Sequence, residues 1–256
     1  MNRNDLAKFF AKGQMLAKPS AKFSVMVSTF SRGNYDPEAN VALLKLLACP
    51  DPRMMWHPRH ETSSIDIARS LEATLFLERK LEAEVLLFLD DDIVFDPLDI
   101  RKLCVLAREG MDIIGAPYVL KQIGNSRIAD KLLEGQKLEF SPNSLPIKTR
   151  WLAGGCLAMS RKALMALSQK LPKCEIGMDR IYPFFCHRPK EIDGKYVMLP
   201  EGWSFCELAQ ENGLPVWIDP SIRLKHIGRY AYTIEDTASE PKKQIENLIY
   251  SEVAKV

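Results

Sequence analysis

The stretch Leu86-Leu87-Phe88-Leu89-Asp90-Asp91-Asp92-Ile93-Val94-Phe95 constrains the fold of this chain more than any other. Its apolar run is long enough for one strand buried on both faces, as in a sheet covered by helices. The run stops at three adjacent carboxylates. Asp96-Pro97 follows, with an N-cap acid and a proline at the first helical position. Strand, acidic turn and helix in that order read as one unit of an open α/β sheet, where ligands bind at the carboxyl ends of strands. Three like charges held at such a place are costly unless a divalent cation or polar ligand joins them. A solvated acidic turn is the competing reading of the triplet alone.

The flanking sequence repeats the alternation. Phe23 to Thr29 reads as a buried strand, and Asp36-Pro37-Glu38 opens a helix with Val41, Leu44 and Leu47 on one side, stopped by Pro50. Arg53 to Trp56 reads as a short strand. Ser63-Ser64-Ile65-Asp66 then starts a helix in which Ile65, Ala68, Leu71 and Leu75 recur at helical spacing. The helix from Pro97 buries Ile100, Leu103, Cys104 and Ala107 and ends at Gly110, before a strand from Asp112 to Ala116. This predicts the α/β class, with one mostly parallel central sheet flanked by helices. Residues 120–150 and 171–200 break the rhythm, with a short helical piece expected from Ala129 to Leu133. Irregular segments this long, the second carrying Tyr182-Pro183-Phe184-Phe185, are candidates for covering a substrate. The expected organisation is an amphipathic segment 1–22, a domain over 23–232 and a helical tail over 233–256.

Composition narrows the function classes. The chain has 256 residues, and a formal net charge of +2 argues against a dedicated nucleic-acid binder. Its six cysteines are scattered with no C-x-x-C pair, and read as reduced core thiols of a cytoplasmic protein. No stretch has the length of a transmembrane span. Residues 1–22 set Lys8, Lys12, Lys18 and Lys22 around Leu6, Phe9, Phe10, Met15 and Leu16. The segment reads as a terminal helix packed on the domain, with peripheral contact to an anionic membrane as the alternative.

The second half of the chain adds three signals. Gly154-Gly155 precedes a short apolar strand and an N-cap Ser160, and paired glycines allow backbone N–H groups to approach a ligand closely. Glu201 stands at the N-terminus of a helix with Phe205, Leu208 and Ala209 in one stripe, ended by Asn212-Gly213. His226 precedes Ile227-Gly228.

Taken in order, these elements resemble the nucleotide-sugar-dependent glycosyltransferases of the GT-A fold, over roughly residues 23 to 232. The resemblance implies a single Rossmann-like GT-A domain. It matches Thr29, Ser31 and Arg32 to the nucleotide-contacting start, and Arg69 to a helical "a-R-N" element with Ser70 in place of Asn. Asp90-Asp91-Asp92 matches the D-x-D motif: Asp90 beside ribose or metal, Asp91 on the donor side, Asp92 as main metal ligand. Gly154 and Gly155 match the segment lining the donor sugar, and His226 matches an element that completes the metal site in some members. Glu201 falls in the "E-D-x-x-F-C" element, whose second acid is Gly202 here. The base implied for an inverting reaction is then Glu201, another acid such as Asp179 or Asp193, or none.

The implied chemistry is transfer of a sugar from a UDP- or GDP-linked donor to a hydroxyl of a glycan or related acceptor. Mn²⁺ or Mg²⁺ would neutralise the diphosphate leaving group, with manganese favoured if an imidazole takes part. Arg32, Arg69 and Lys121 are candidates for phosphate contacts, and Trp151, Trp203, Tyr182 and Phe185 for stacking on sugars. Two rivals stand beside this reading. A sugar nucleotidyltransferase would carry a glycine-rich triphosphate loop, for which Ser31-Arg32-Gly33 is too poor in glycine. A non-catalytic nucleotide- or glycan-binding protein of the same fold is kept open by Gly202.

Overall fold

The computed structural model describes residues 24–31, 33, 35–60, 64–79, 82–122, 127–228, 231–234 and 248–250. Segment 1–22 and Arg32 lie outside them. Strand β1 (Ser24–Ser31) leads to helix α1 (Pro37–Leu47), β2 (Arg53–His60), α2 (Ile65–Glu78) and β3 (Ala83–Asp90). Next come β4 (Ile93–Val94), α3 (Pro97–Arg108), β5 (Ile113–Gly115), β6 (Leu138–Phe140), β7 (Ile147–Lys148), β8 (Cys156–Ser160) and α4 (Arg161–Ser168). Two hairpins follow, β9 (Cys174–Ile176) with β10 (Asp179–Ile181) and β11 (Arg188–Ile192) with β12 (Lys195–Leu199). The remainder is α5 (Glu201–Glu211), β13 (Val216–Ile218), β14 (Lys225–Ile227), β15 (Ala231–Tyr232) and β16 (Leu248–Tyr250).

The central sheet has seven strands in the order β2-β1-β3-β8-β5-β13-β7. β1, β2, β3, β5 and β13 run one way, and β8 and β7 are reversed. Period-two alternation divides the side chains between two cores. Met26, Leu86 and Phe88 face α2, α4 and α5, whose Phe76, Leu164 and Phe205 are fully buried. Val25, Val27, Leu87 and Leu89 face α1 and α3 through Leu43, Leu46, Ile100 and Leu103. The apolar run of β3 is therefore covered on both faces. The architecture is a three-layer, Rossmann-like α/β unit.

Helix starts follow the local chemistry. Asp36 caps α1 by accepting from the N–H groups of Glu38 at 2.9 Å and Ala39 at 3.1 Å, and Asp96 caps α3 through Leu98 N–H at 2.8 Å. Each is followed by proline at the start of its helix. The faces differ from expectation in two helices. Val41 and Leu44 are half exposed, and α1 instead buries Ala39, Ala42, Leu43 and Leu46, an i, i+3, i+4, i+7 stripe of smaller residues that lets it lie close to the sheet. In α2 the buried face is Ala68, Arg69, Glu72, Ala73 and Phe76, because ion pairs let two charged residues point inward.

Four further expectations are corrected. β2 continues to His60, zipped to β1 along its length. Residues 129–133 form no helix. Val119 bridges Ile128 and Lys131 bridges Trp151, which stretches this segment between two backbone partners. Segment 171–200 holds two hairpins, the second closed by Asp193-Gly194 with both φ angles positive, the geometry of a two-residue turn. In the tail, residues 248–250 form a strand parallel to β6 rather than a helix. All six cysteines are free; Cys104, Cys156 and Cys206 are buried and Cys174 is exposed. No helix among the described residues is long and apolar enough to cross a membrane.

Candidate functional site

A cleft of about 2080 Å³ opens at the C-terminal ends of β1 and β3. Its floor is built around Arg69, which α2 carries into the interior at 3% exposure. One guanidinium nitrogen donates to Asp90 Oδ1 at 2.7 Å, and another donates to Glu201 at the first residue of α5. Burial works against the Arg69 charge, but Asp90 and Glu201 outweigh it and raise its pKa. Arg69 thereby ties β3 to α5 by charge-assisted bonds.

The glycine pair exists to make room for this bridge. A Cβ on Gly154 would lie 2.3 Å from Arg69 Nη1, and one on Gly155 would lie 2.6 Å from Tyr118 Oη. Gly155 N–H donates to that hydroxyl at 3.1 Å, so it is engaged within the protein rather than open to a ligand. Gly202 is set in the same way. A Cβ there would meet Gly154 N and Leu152 O at 3.0 Å, so the second position of α5 packs backbone against backbone.

Asp92, which lines the cleft, is paired with His226. The register of β14 on β4 pairs His226 with Ile93 and brings its Nε2 to 3.5 Å from Asp92 Oδ1. His226 Nδ1 donates to Val119 O at 2.7 Å, which leaves Nε2 as the nitrogen facing Asp92. The Tyr118 ring stands edge-on to the imidazole, centroids 5.1 Å apart, and fixes its plane. Lys121 Nζ donates to the other oxygen, Asp92 Oδ2. Burial pushes the Asp92 pKa up, but His226 and Lys121 outweigh it and hold the pKa below the usual carboxylate value. Asp92 Oδ1 is buried with no hydrogen-bond partner.

Among the described residues, no three His, Cys, Asp or Glu side chains converge as a ready metal centre. The structure brings Asp92 and His226 together, while Asp90 is turned to Arg69. An unpartnered carboxylate oxygen facing an imidazole nitrogen oriented by its other hydrogen bond is nevertheless a donor set that fits a divalent ion completed by ligand oxygens.

The other expected residues fall in different places. Ser31 lines the cleft and hydrogen-bonds Asp91, whose pKa burial pushes up. Thr29 is buried, its hydroxyl taken up by Tyr35 at 2.8 Å and Trp56 Nε1 at 2.9 Å. Of the four aromatics, Trp203 reaches the cleft; Trp151, stacked on it at 4.7 Å, and Phe185 are core residues, and half-buried Tyr182 packs on Phe184 rather than lining the cleft. Asp193 sits exposed at a hairpin tip on the cleft rim, and Asp179 is exposed on β10.

Sequence reasoning missed Tyr118 and Asp130. Asp130 lines the cleft at 5% exposure, with Oδ1 accepting from Ala153 N–H at 2.8 Å and Oδ2 buried without a partner. Burial pushes its pKa up to about 7. No local signal marks it, since the bonds that place it come from residues before and after the irregular segment.

The sequence matches no protein-family model and no curated protein. Among solved structures, A197 from STIV matches with a TM-score of 0.52 and 18% identity, over 80% of this chain and 86% of its own. S. aureus TarS 1–349 matches at 0.42 and 13%, over 78% of this chain and 58% of that one. The likeness to A197 is one of fold, and it spans most of both chains.

Proposed function

We propose that this chain is a glycosyltransferase of the GT-A type, moving a sugar from a UDP- or GDP-linked donor to a hydroxyl of a glycan or related acceptor. The observation that carries the reading is Asp92 in the cleft at the strand ends, its buried Oδ1 free of hydrogen bonds and 3.5 Å from His226 Nε2. Asp92 and His226 would hold Mn²⁺ or Mg²⁺, which when bound supplies positive charge to the leaving diphosphate. Ser31, Asp91 and Gly154 line the adjacent wall, where the nucleotide and donor sugar are assigned. Lys121, paired with Asp92 at the cleft edge, is a second cation able to turn to phosphate oxygens. Arg69 holds Asp90 and Glu201 in place on the floor.

The test is a panel of UDP- and GDP-sugars, assayed for donor cleavage with Mn²⁺ and with chelator. Ion-dependent turnover of at least one donor is expected. Nucleotide binding with no turnover of any donor would replace this reading with a non-catalytic binding protein.

A further inference from the structure

We propose that Asp130 is the general base of this cleft, taking the proton of the acceptor hydroxyl as that oxygen attacks the anomeric carbon. The proposal rests on the glycosyl-transfer reading above and names the group that reading lacks. Most other acids of the cleft are already engaged. Asp90 and Glu201 bond Arg69, Asp92 pairs with Lys121 and His226, Asp91 bonds Ser31, and Asp36 caps α1. Glu134, Glu191 and Asp193 are exposed on the rim. Asp130 is buried in the wall with Oδ1 held by Ala153 N–H, the Tyr118 N–H also acting on the carboxylate and Oδ2 making no hydrogen bond of its own, and among the described residues it has no cation within ion-pair distance.

Its position also answers the departure at Gly202. The second residue of α5 is crowded, because a Cβ there would meet the backbone of Leu152 and Gly154 at 3.0 Å and the neighbouring chain would have to give way. Asp130 reaches the same 152–154 backbone from another side, through Ala153. Two backbone pairs hold it there: Ala129 N–H to Tyr118 O at 2.8 Å, and Lys131 N–H to Trp151 O at 2.9 Å. Trp203 Nε1 adds a bond from α5 to Ala129 O at 3.0 Å. A carboxylate that the helix does not carry is thus supplied by the loop packed against it.

The chemistry suits the environment. Burial without a counter-charge pushes the Asp130 pKa up to about 7, where a base is substantially ionised yet still strong enough to accept a proton. The ionisable groups facing it are Tyr118, Cys156 on β8 and Cys206 on α5, all pushed up by burial and neutral near pH 7. In the reaction the acceptor proton passes to Asp130 while the acceptor oxygen bonds to the anomeric carbon. The bond from that carbon to the phosphate oxygen breaks, its electron pair leaves with the nucleoside diphosphate, and the configuration inverts. The proton then passes to solvent.

The experiment uses the full chain and the donor that the panel identifies. Asp130→Asn should lower kcat by roughly 100-fold or more, with the donor KM and nucleotide binding within a few-fold of the parent. The parent's activity should rise with pH through about 7, and the residual activity of the variant should lack that rise. In Asp130→Ala, azide should restore donor cleavage and yield the glycosyl azide, because it attacks without losing a proton. An Asp130→Asn enzyme of near-parent kcat would overturn the proposal, as would a loss of kcat matched by a loss of nucleotide binding or a lowered melting temperature. A Glu201→Gln enzyme that alone lost the pH limb would also overturn it. These outcomes need an active parent; a parent that turns over no donor would overturn the glycosyl-transfer reading and Asp130 with it.

Discussion

Arg69 carries two carboxylates at once, and the cleft floor depends on it. Its pairs with Asp90 and Glu201 are buried, so removing the guanidinium strands two acids that have lost their counter-charge. Arg69→Met is expected to cost about 3–5 kcal/mol in denaturant unfolding. Asp130 gives a prediction of opposite sign. The folded protein keeps its carboxyl protonated up to about pH 7, against an ordinary value of 3.8. The stability this lends is fully present below about 3.8 and is lost as pH rises through about 7. Asp130→Asn should therefore melt above the parent at pH 8, and the gain should vanish near pH 4. A variant melting below the parent at both pH values would show that the Asn amide cannot be accommodated there. At this scale the acids at β3 and the histidine near the chain's end were visible in the sequence, because each sits beside a turn or glycine that marks an element boundary. The role of Arg69 was not, since Glu201 lies 132 residues away. Asp130 was hidden for the same reason.

Helices and strands show which local signals prevail and which yield to packing. The caps at Asp36 and Asp96 and the positive-φ glycines after α3 and α5, Gly110 and Gly213, stand where the sequence marks them. Faces were harder to read. α1 offered two apolar stripes, and the one with more alanine won because α1 packs against α3 and the sheet. The Asp193-Gly194 turn was legible as a hairpin signal, but the prolines around it favoured an irregular segment. The cap of α1 also reaches the site, since Asp36 N–H donates to Asp91 O at 3.1 Å and joins the helix start to the acidic turn. Asp36→Ala should cost about 1 kcal/mol in thermal or chemical unfolding. Nucleotide binding should stay within a few-fold of the parent, because the bond to Asp91 comes from the backbone N–H, which alanine keeps. A loss of nucleotide binding alongside the loss of stability would show that the side-chain cap also sets the position of that N–H.

For the whole molecule, the sheet brings together residues far apart in the chain. β1 and β3 end side by side, α5 aims its first residue at that edge, and β14 returns to pair with the short strand after the triplet. The class of fold followed from alternation and from the double-sided apolar run of β3. The reversed strand β8, inserted between β3 and β5, did not, because antiparallel neighbours in a fully buried strand leave the same apolar pattern as parallel ones. The central claim is that Asp92 and His226 hold a divalent ion against a nucleoside diphosphate. Calorimetric titration of UDP and GDP into the full chain, with Mn²⁺ and with chelator, tests it most directly. One of the two nucleotides should bind at least about 10-fold more tightly with the ion, and Asp92→Ala should remove that difference. Equal affinity with and without Mn²⁺, or an ion dependence that survives Asp92→Ala, would contradict it.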